Sequence, residues 1–282
     1  MTWFTFGRQL TQKLKVDRVT GLAAEQAYYY LLSLFPMLIL LLSILPYLSI
    51  NPQAALIFLH DFVPSETNQL IEETIITILS ERNGGLLTIG IIGTIWSASN
   101  GMNAFIHSMN IAFEVQETRS FITTRLLSIV LTFGLILAFI VSLALPVFGQ
   151  ILLDFINQLF PISDYGQRLF HLLRWVIAVV VISIVLAFLY QIAPSKPLPL
   201  QHVWIGAVTA ALLWLLISFG FSFYINNFGN YSATYGSLGG VIVLMLWLFL
   251  TGLALIIGGE INAVLQRNHT APRSKTTRHF FF

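Results

Sequence analysis

Six stretches of the sequence are long and apolar enough to span a lipid bilayer, and they restrict the possible folds more than any other feature. A spanning helix needs about 20 mostly apolar residues. The composition agrees, since 56% of the 282 residues are hydrophobic and only 9% are charged, whereas a soluble domain carries about 25% charged residues. We therefore predict an all-α integral membrane bundle with six transmembrane helices. The six stretches are residues 27–48, 85–105, 125–149, 172–192, 202–225 and 236–264.

Basic residues are distributed unequally between the two sides that six spans would create. The side that holds both termini carries 11 Lys and Arg residues, and the other side carries three. Because Lys and Arg are enriched in cytoplasmic loops, we predict that the N-terminus and the C-terminus are both cytoplasmic. The chain then divides into a basic N-terminal segment (1–26), a transmembrane domain (27–266) and a basic cytoplasmic tail (267–282).

Two segments outside the predicted spans have amphipathic patterns. In the N-terminal segment, four apolar residues recur at helical spacing among basic residues, which predicts a helix on the membrane surface. These residues are Trp3, Phe6, Leu10 and Leu14. A disordered basic tail is the alternative. The outer loop, residues 49–84, contains two apolar stripes that predict two more amphipathic surface helices. They would form either a lid or a layer that seals the bundle.

The second apolar stretch continues into a polar stripe. The stripe consists of Asn100, Asn103, His107, Asn110 and Glu114. At 100° per residue these side chains share one face of a helix. The apolar residues between them, which include Met102, Ile106 and Met109, lie on a different face. With the predicted orientation, the stripe runs through the inner leaflet towards the cytoplasm.

Two acidic residues lie at a similar depth, Glu25 near the first span and Glu260 near the end of the sixth. A charged group inside a bilayer is costly unless it is paired or hydrated. We therefore expect one hydrated cavity that is open to the cytoplasm. Its expected lining residues are Glu25, Asn100, Asn103, His107, Asn110 and Glu260. In the alternative, each acid forms a local ion pair, and the asparagines form interhelical hydrogen bonds.

The segment between the fifth and sixth spans, residues 226–240, is rich in Asn, Ser, Thr and Gly. Irregular backbone at membrane depth must be buried in protein or line water, so this segment is a candidate outer gate of the cavity. The candidate gate residues are Asn230, Tyr231, Thr234 and Tyr235. The alternative is close helix packing through Gly236 and Gly240, which are spaced as in small-residue helix interfaces.

The sequence gives little support to catalytic or cofactor chemistry. It has no cysteines, its six histidines show no metal-ligand spacing, and it contains no Gly-rich phosphate loop after a strand. We expect no catalytic residues, no cofactor and no metal site, with an intramembrane enzyme using His107 and Glu114 as a minor alternative. The formal charge of +2 does not favour a nucleic-acid partner. The expected partners are membrane lipids, and a homo-oligomer is left open.

Four segments together resemble the YihY/BrkB family of bacterial inner-membrane proteins. They are "VTGLAAEQAYYYLLSLFPML", "WSASNGMNAFIHSMNIAF", "LAFLYQIAPSKPLP" followed by "WIGAVTAALLW", and "YSATYGSLGGVIVLMLWLFLTGLALIIGGEINA". The resemblance spans nearly the whole chain and implies a helical, multi-pass protein of the bacterial plasma membrane. Members of the family have carried a ribonuclease BN label, which nothing in these residues supports. Others have been linked to virulence or to envelope-lipid transport.

The polar stripe, the acidic residues and the resemblance lead to one functional expectation and two alternatives. We expect a transporter or flippase-like protein that moves an envelope lipid or another amphiphile through the cytoplasm-facing cavity. The first alternative is a non-catalytic membrane scaffold for envelope assembly. The second is a membrane-embedded enzyme that acts on lipid. A transporter requires a cavity that reaches towards the middle of the membrane, and a scaffold does not.

Overall fold

A computed structural model describes residues 3–47, 83–137, 163–228 and 238–270, with the single positions 140 and 157. These residues form helices and contain no strand. The helices are α1 (Trp3–Val16), α2 (Val19–Ile44), α3 (Gly84–Ala112), α4 (Phe121–Leu137), α5 (Asp164–Ile192), α6 (Trp204–Phe228) and α7 (Leu238–Thr270). Short 3₁₀ turns occupy Leu45–Tyr47 and Leu200–His202. Almost all of the outer loop, the four candidate gate residues and tail residues 271–282 lie outside the described residues.

Four of these helices, α2, α5, α6 and α7, are long and apolar enough to cross a membrane. Helix α3 has 29 residues, but it is not among the four, since polar residues occupy its second half. Helix α4 is described only as far as Leu137. Many large apolar side chains are exposed on the outside of the bundle, for example Leu216 (67%) and Phe219 (77%). This outer surface suits a hydrocarbon environment. The six-span topology with both termini inside stays a prediction.

The first span begins earlier than the sequence indicates. Helix α2 starts at Val19 and not at residue 27, because α1 and α2 are separated only by a short turn in which Arg18 adopts a left-handed conformation (φ 52°). Glu25 is therefore in the second turn of a long helix. Helix α1 packs against the C-terminal end of α7, and Asn268 donates a hydrogen bond to Gln9 at 3.0 Å. Phe4 on α1 is exposed (83%).

Helices α2 and α3 pack as an antiparallel pair through glycines of α3. A Cβ atom on Gly90 would lie 2.9 Å from the backbone of Leu40, and one on Gly101 would clash with the ring of Tyr30. Contacts that pair residue 90 with 40 and residue 101 with 30 require the two helices to run in opposite directions. The end of α3 and the start of α2 therefore lie together at the end of the bundle where α1 sits. We call this the α1 end. Hydrogen bonds also bring the start of α4 to α3, the end of α5 to the segment after α3, and the start of α6 to the end of α7.

Helices α5, α6 and α7 are joined near the α1 end by buried polar contacts. Asn262 accepts a hydrogen bond from Gly206 N at 2.7 Å and donates one to Val203 O at 3.0 Å, so it satisfies backbone groups at the first turn of α6. The Tyr190 hydroxyl donates to Leu255 O at 2.6 Å. The Gly206 N–H needs a partner of this kind because the first N–H groups of a helix have none within it.

The core lies largely at the α1 end. It combines the apolar face of α3 with inward side chains of α5 and α7, and its largest fully buried members include Phe105, Met109, Tyr190 and Ile256. Because α3 buries this face, its polar stripe is turned away from the core. The fold thus fixes which side of α3 can meet solvent.

Candidate functional site

A polar cavity of about 240 Å³ lies at the α1 end, between α2, the second half of α3, the segment 113–120 and the start of α4. We call it the polar cavity. Its lining residues are Glu25, Tyr29, Asn100, Asn103, Ala104, Ile106, His107, Asn110, Glu117 and Thr124. Two of these lining residues are acidic, Glu25 and Glu117, and none of them is Lys or Arg.

The period of α3 explains how its stripe reaches the polar cavity. Residues 100, 103, 107 and 110 are three or four positions apart, so they share one helix face. Asn103 and His107 are exposed. Met102, Ile106 and Met109, whose side chains point mainly to the other face, are at most 1% exposed. The side chains of Asn103 and His107 are thus available to a bound molecule.

Asn100 is held by a cation from α4. The Arg125 guanidinium donates to Asn100 Oδ1 at 2.6 Å and to Trp96 O at 2.8 Å. It also lies 3.8 Å from the centre of the Trp96 ring, a cation–π distance. These contacts fix the start of α4 against α3. Glu25 forms no ion pair within the described part of the chain, so neither Arg125 nor Arg18 neutralises it there.

Asn110 links three parts of the chain at the base of the polar cavity. Its amide donates to Glu117 Oε2 at 2.8 Å, and its Oδ1 accepts from Ser195 N at 2.7 Å. Glu117 Oε1 accepts from Arg119 N at 2.9 Å. Partial burial opposes ionisation of Glu117, but these hydrogen bonds and the Arg119 charge outweigh it and hold the pKa of Glu117 below its ordinary value. Glu117 is therefore an anion at neutral pH.

Arg119 fixes the segment 113–120 to the end of α5. Its guanidinium donates to Ala193 O and Ile192 O, both at 3.0 Å, and also to Pro194 O. The last carbonyls of a helix lack internal partners and carry partial negative charge, so an Arg there is favourable. Glu117, Arg119, Tyr29 and Thr124 were not singled out by the sequence. Glu117 and Arg119 belong to the polar run that directly follows the stripe, and that run was the sequence signal that could have identified them.

Five of the six residues expected to line one cavity do so in the structure, and Glu260 does not. Glu260 is fully buried beneath α1, with its Oε2 atom 3.7 Å from Lys13 Nζ. The reason is packing: Met109, on the apolar face of α3, lies directly against Gly259. Glu260 therefore lies on the core side of α3, away from the polar stripe. Similar depth in the membrane did not imply the same cavity.

Glu114 also leaves the stripe. Helix α3 ends at Ala112, and Glu114 adopts a left-handed conformation (φ 54°). The N–H groups of Glu114 and Val115 bond Ile111 O (3.0 Å) and Asn110 O (2.9 Å), which is the Schellman pattern of helix termination. Glycine usually occupies this position, so the sequence carried no stop signal. Glu114 Oε1 instead lies 3.6 Å from Lys13 Nζ and 3.4 Å from Arg267.

The fold and the polar cavity define the class of this protein: a membrane protein that is helical, without strands, over its described residues and has a polar cavity at one end of its bundle. Residues 10–279 match the family model described as Virulence factor BrkB. Because this match covers nearly the whole chain, the protein belongs to the BrkB family, as the resemblance of its four segments indicated.

Curated relatives carry two kinds of name. A Bacillus subtilis protein named ribonuclease-like protein YfkH is 43% identical over 268 residues, which are 95% of this chain and 98% of the relative. UPF0761 membrane proteins from Tolumonas auensis and Photobacterium profundum are 29% and 30% identical; they match over 90% and 91% of this chain and 84% and 79% of their own lengths. No solved structure matches the chain.

Proposed function

We propose that this membrane protein moves an envelope lipid or another amphiphile across the bacterial inner membrane, with the polar cavity receiving the polar part of the molecule. The observation that carries this proposal is the arrangement of two cavities of opposite chemistry along α2. Glu25 and Tyr29 line the polar cavity, and Tyr30, Ser33 and Leu34 line a second, apolar one. An amphiphile has the same division between a polar group and a hydrocarbon chain.

The apolar cavity has a volume of about 220 Å³. Its walls come from α2, α4, α5, α6 and α7, and they consist of Tyr30, Ser33, Leu34, Leu135, Ile182, Leu186, Trp214, Trp247, Leu248, Thr251 and Leu255. The Trp214 and Trp247 rings pack at 6.4 Å between centroids. Apolar cavities of about 150 Å³ stay free of water and bind small hydrocarbons, so this one suits part of an acyl chain.

The predicted orientation places the α1 end, and with it the polar cavity, on the cytoplasmic side. The cavity would then take its cargo from the inner leaflet or the cytoplasm. The exposed apolar side chains around the bundle support membrane lipids as the proposed partners. The proposed outer gate, Asn230, Tyr231, Thr234 and Tyr235, would act at the opposite end.

A membrane scaffold is the second candidate, and one observation favours it. Asn100 and Asn110 form hydrogen bonds within the protein, to Arg125, Glu117 and Ser195. These two asparagines thus act as structural connectors, as in a packed helix interface. Asn103 and His107 of the stripe, and Glu25 on the adjoining helix α2, are exposed. Changes at these residues therefore distinguish a transporter from a scaffold.

Cysteine labelling tests whether the polar cavity is hydrated, and the chain is naturally free of cysteine. Asn103→Cys and His107→Cys should react with a charged thiol reagent added to the side that holds the N-terminus. Met102→Cys and Met109→Cys, at buried positions of the same helix that do not line the polar cavity, serve as matched controls and should react far more slowly. Equal protection at all four positions would indicate a dry interface and would remove the support for transport.

Lipid movement itself can be measured in proteoliposomes with a phospholipid that carries a fluorescent headgroup. The parent protein should speed the exchange of this lipid between leaflets relative to protein-free vesicles. His107→Trp, which fills the polar cavity, should abolish the increase, and Ile89→Trp, at an exposed apolar position of the same helix (65%), should keep it. No difference between parent and protein-free vesicles would favour the scaffold.

A further inference from the structure

A cluster of charged side chains lies under α1, on the core side of α3. We call it the α1 ionic cluster, and it contains Lys13, Asp17, Glu114, Glu260 and Arg267. Lys13 Nζ lies 2.7 Å from Asp17 Oδ2, 3.6 Å from Glu114 Oε1 and 3.7 Å from Glu260 Oε2. Arg267 lies 3.4 Å from Glu114 Oε1. The cluster takes no part in the polar cavity.

Glu260 is the most enclosed member of the α1 ionic cluster. It is 0% exposed, and neither of its carboxyl oxygens has a hydrogen-bond partner. Lys13 Nζ reaches Glu260 only at ion-pair distance, 3.7 Å, and donates its close hydrogen bond to Asp17. An ionised carboxylate without hydrogen bonds is strongly disfavoured in a protein interior. The surroundings of Glu260 therefore favour its neutral, protonated form.

The charges of the α1 ionic cluster lead to the same conclusion. Burial opposes the charge on Lys13, but its hydrogen bond to Asp17 and the nearby carboxylates outweigh this effect and raise the pKa of Lys13. Arg267 is always protonated. The ion pairs thus join two cations to three carboxylates, which leaves one negative charge in excess. Glu114 is largely exposed to solvent (64%), whereas Glu260 is fully buried, so the excess charge is costly at Glu260.

Solvent has a route to this cluster. A cavity of about 560 Å³ lies between α1 and the end of α7, and Lys13, Asp17, Glu114 and Arg267 line it. The remaining lining residues are Gln9, Gln12, Val16, Val264 and Asn268. Lys13 lines this cavity and lies 3.7 Å from Glu260 Oε2, so it stands between the cavity and the buried carboxyl group. Within the described residues, the other charges of the cluster come from α1, the α1–α2 turn, the segment after α3 and the end of α7.

We propose that Glu260 is a proton-binding site. It takes up one proton, which neutralises the excess negative charge of the α1 ionic cluster. Binding transfers a proton from water to one carboxyl oxygen of Glu260 and leaves a neutral carboxylic acid. A role of this proton in driving the movement of cargo rests on the proposed transport function. The proton binding itself does not.

Infrared difference spectroscopy of the full-length protein in lipid vesicles tests the site directly. A protonated carboxyl group has a carbonyl stretching band that ionised carboxylates lack. The parent should show such a band, and it should disappear as pH rises. Glu260→Gln should remove the titrating band, and Glu25→Gln, the matched change at an exposed acid, should leave it. A band that persists in Glu260→Gln, or that is lost in Glu25→Gln, would overturn the assignment.

Two neighbouring variants keep the test decisive if Glu260→Gln does not fold. Lys13→Met removes the cation that favours ionised Glu260, so the midpoint of the band should move to higher pH. Asp17→Asn removes a negative charge, so the midpoint should move to lower pH. Midpoints that do not move in either variant would contradict the proposal. A midpoint that depends on sodium, compared with choline, would show a general cation site and contradict a proton site.

A pH gradient across the proteoliposomes separates proton binding from transport. Lipid movement by the parent should respond to the gradient, and movement by Glu260→Gln should not. If the infrared band is present but no lipid moves, the transport function is wrong and the proton site stands. If lipid moves without the band, the proton site is wrong.

Discussion

Substituting Gly206 tests the packing that holds α6 against α7. A Cβ atom at this position would lie 2.5 Å from Asn262 Cγ and closer still to the backbone oxygen of Gly258. Side-chain Cβ atoms essentially never approach other atoms within 3.0 Å. Since Gly258 O is a backbone atom, the two helices must separate. That separation also strains the hydrogen bonds of Asn262 to Gly206 N and Val203 O.

The expected magnitude for Gly206→Ala follows from three effects. Overpacking a helix interface costs about 1–3 kcal/mol. Leaving buried hydrogen-bonding groups without partners costs about 1–3 kcal/mol more. The better helix propensity of Ala returns about 1 kcal/mol. The free energy of unfolding should therefore fall by about 1–5 kcal/mol, the difference between these costs and the propensity gain.

Gly220→Ala is the matched control, because it lies on the same helix and no described atom lies within 4 Å of its Cβ position. It keeps the propensity gain without the clash, so it should leave stability unchanged or slightly raised. Both variants can be compared with the parent by unfolding in mixed micelles of mild detergent and SDS. Equal stability of Gly206→Ala and Gly220→Ala would refute the close approach of α6 and α7.

Three further predictions concern the α1 end and the topology. Arg119→Lys should lower the free energy of unfolding by about 1–3 kcal/mol, because a Lys ammonium cannot bond several carbonyls at the end of α5 as the planar guanidinium does. Unchanged stability in the same micelles would refute a stabilising role of these bonds. Since the pKa of Glu117 is lowered by folding, its contribution to stability is present at neutral pH and is lost as pH falls through the folded-state pKa. In Glu117→Gln, the free energy of unfolding should therefore fall less than in the parent as the pH is lowered. A pH profile of stability identical to that of the parent would contradict this prediction. Reporter fusions after residues 120 and 275 should be cytoplasmic and those after 165 and 230 external, whereas an external signal at 120 or 275 would overturn the topology.

The class of the protein and one face of its polar cavity were determined locally by the sequence. Long apolar stretches predicted an all-helical membrane protein, and the described residues contain four helices that are long and apolar enough to span. The spacing of Asn100, Asn103, His107 and Asn110 predicted a shared face, because the α-helical period depends only on the chain's own backbone. The structure places all four in the polar cavity with Glu25.

Only the tertiary structure decided which distant residues meet. Glu260 and Glu25 were expected to line one cavity, but Met109 of α3 packs against Gly259 and Glu260 lies beside Lys13. The bond from Arg119 to the end of α5 likewise joins residues more than 70 positions apart. Burial and long-range charge pairing depend on how helices pack, and helical periodicity carries no information about the partner of a face. That is why the sequence predicted the polar stripe but not the position of Glu260 under α1.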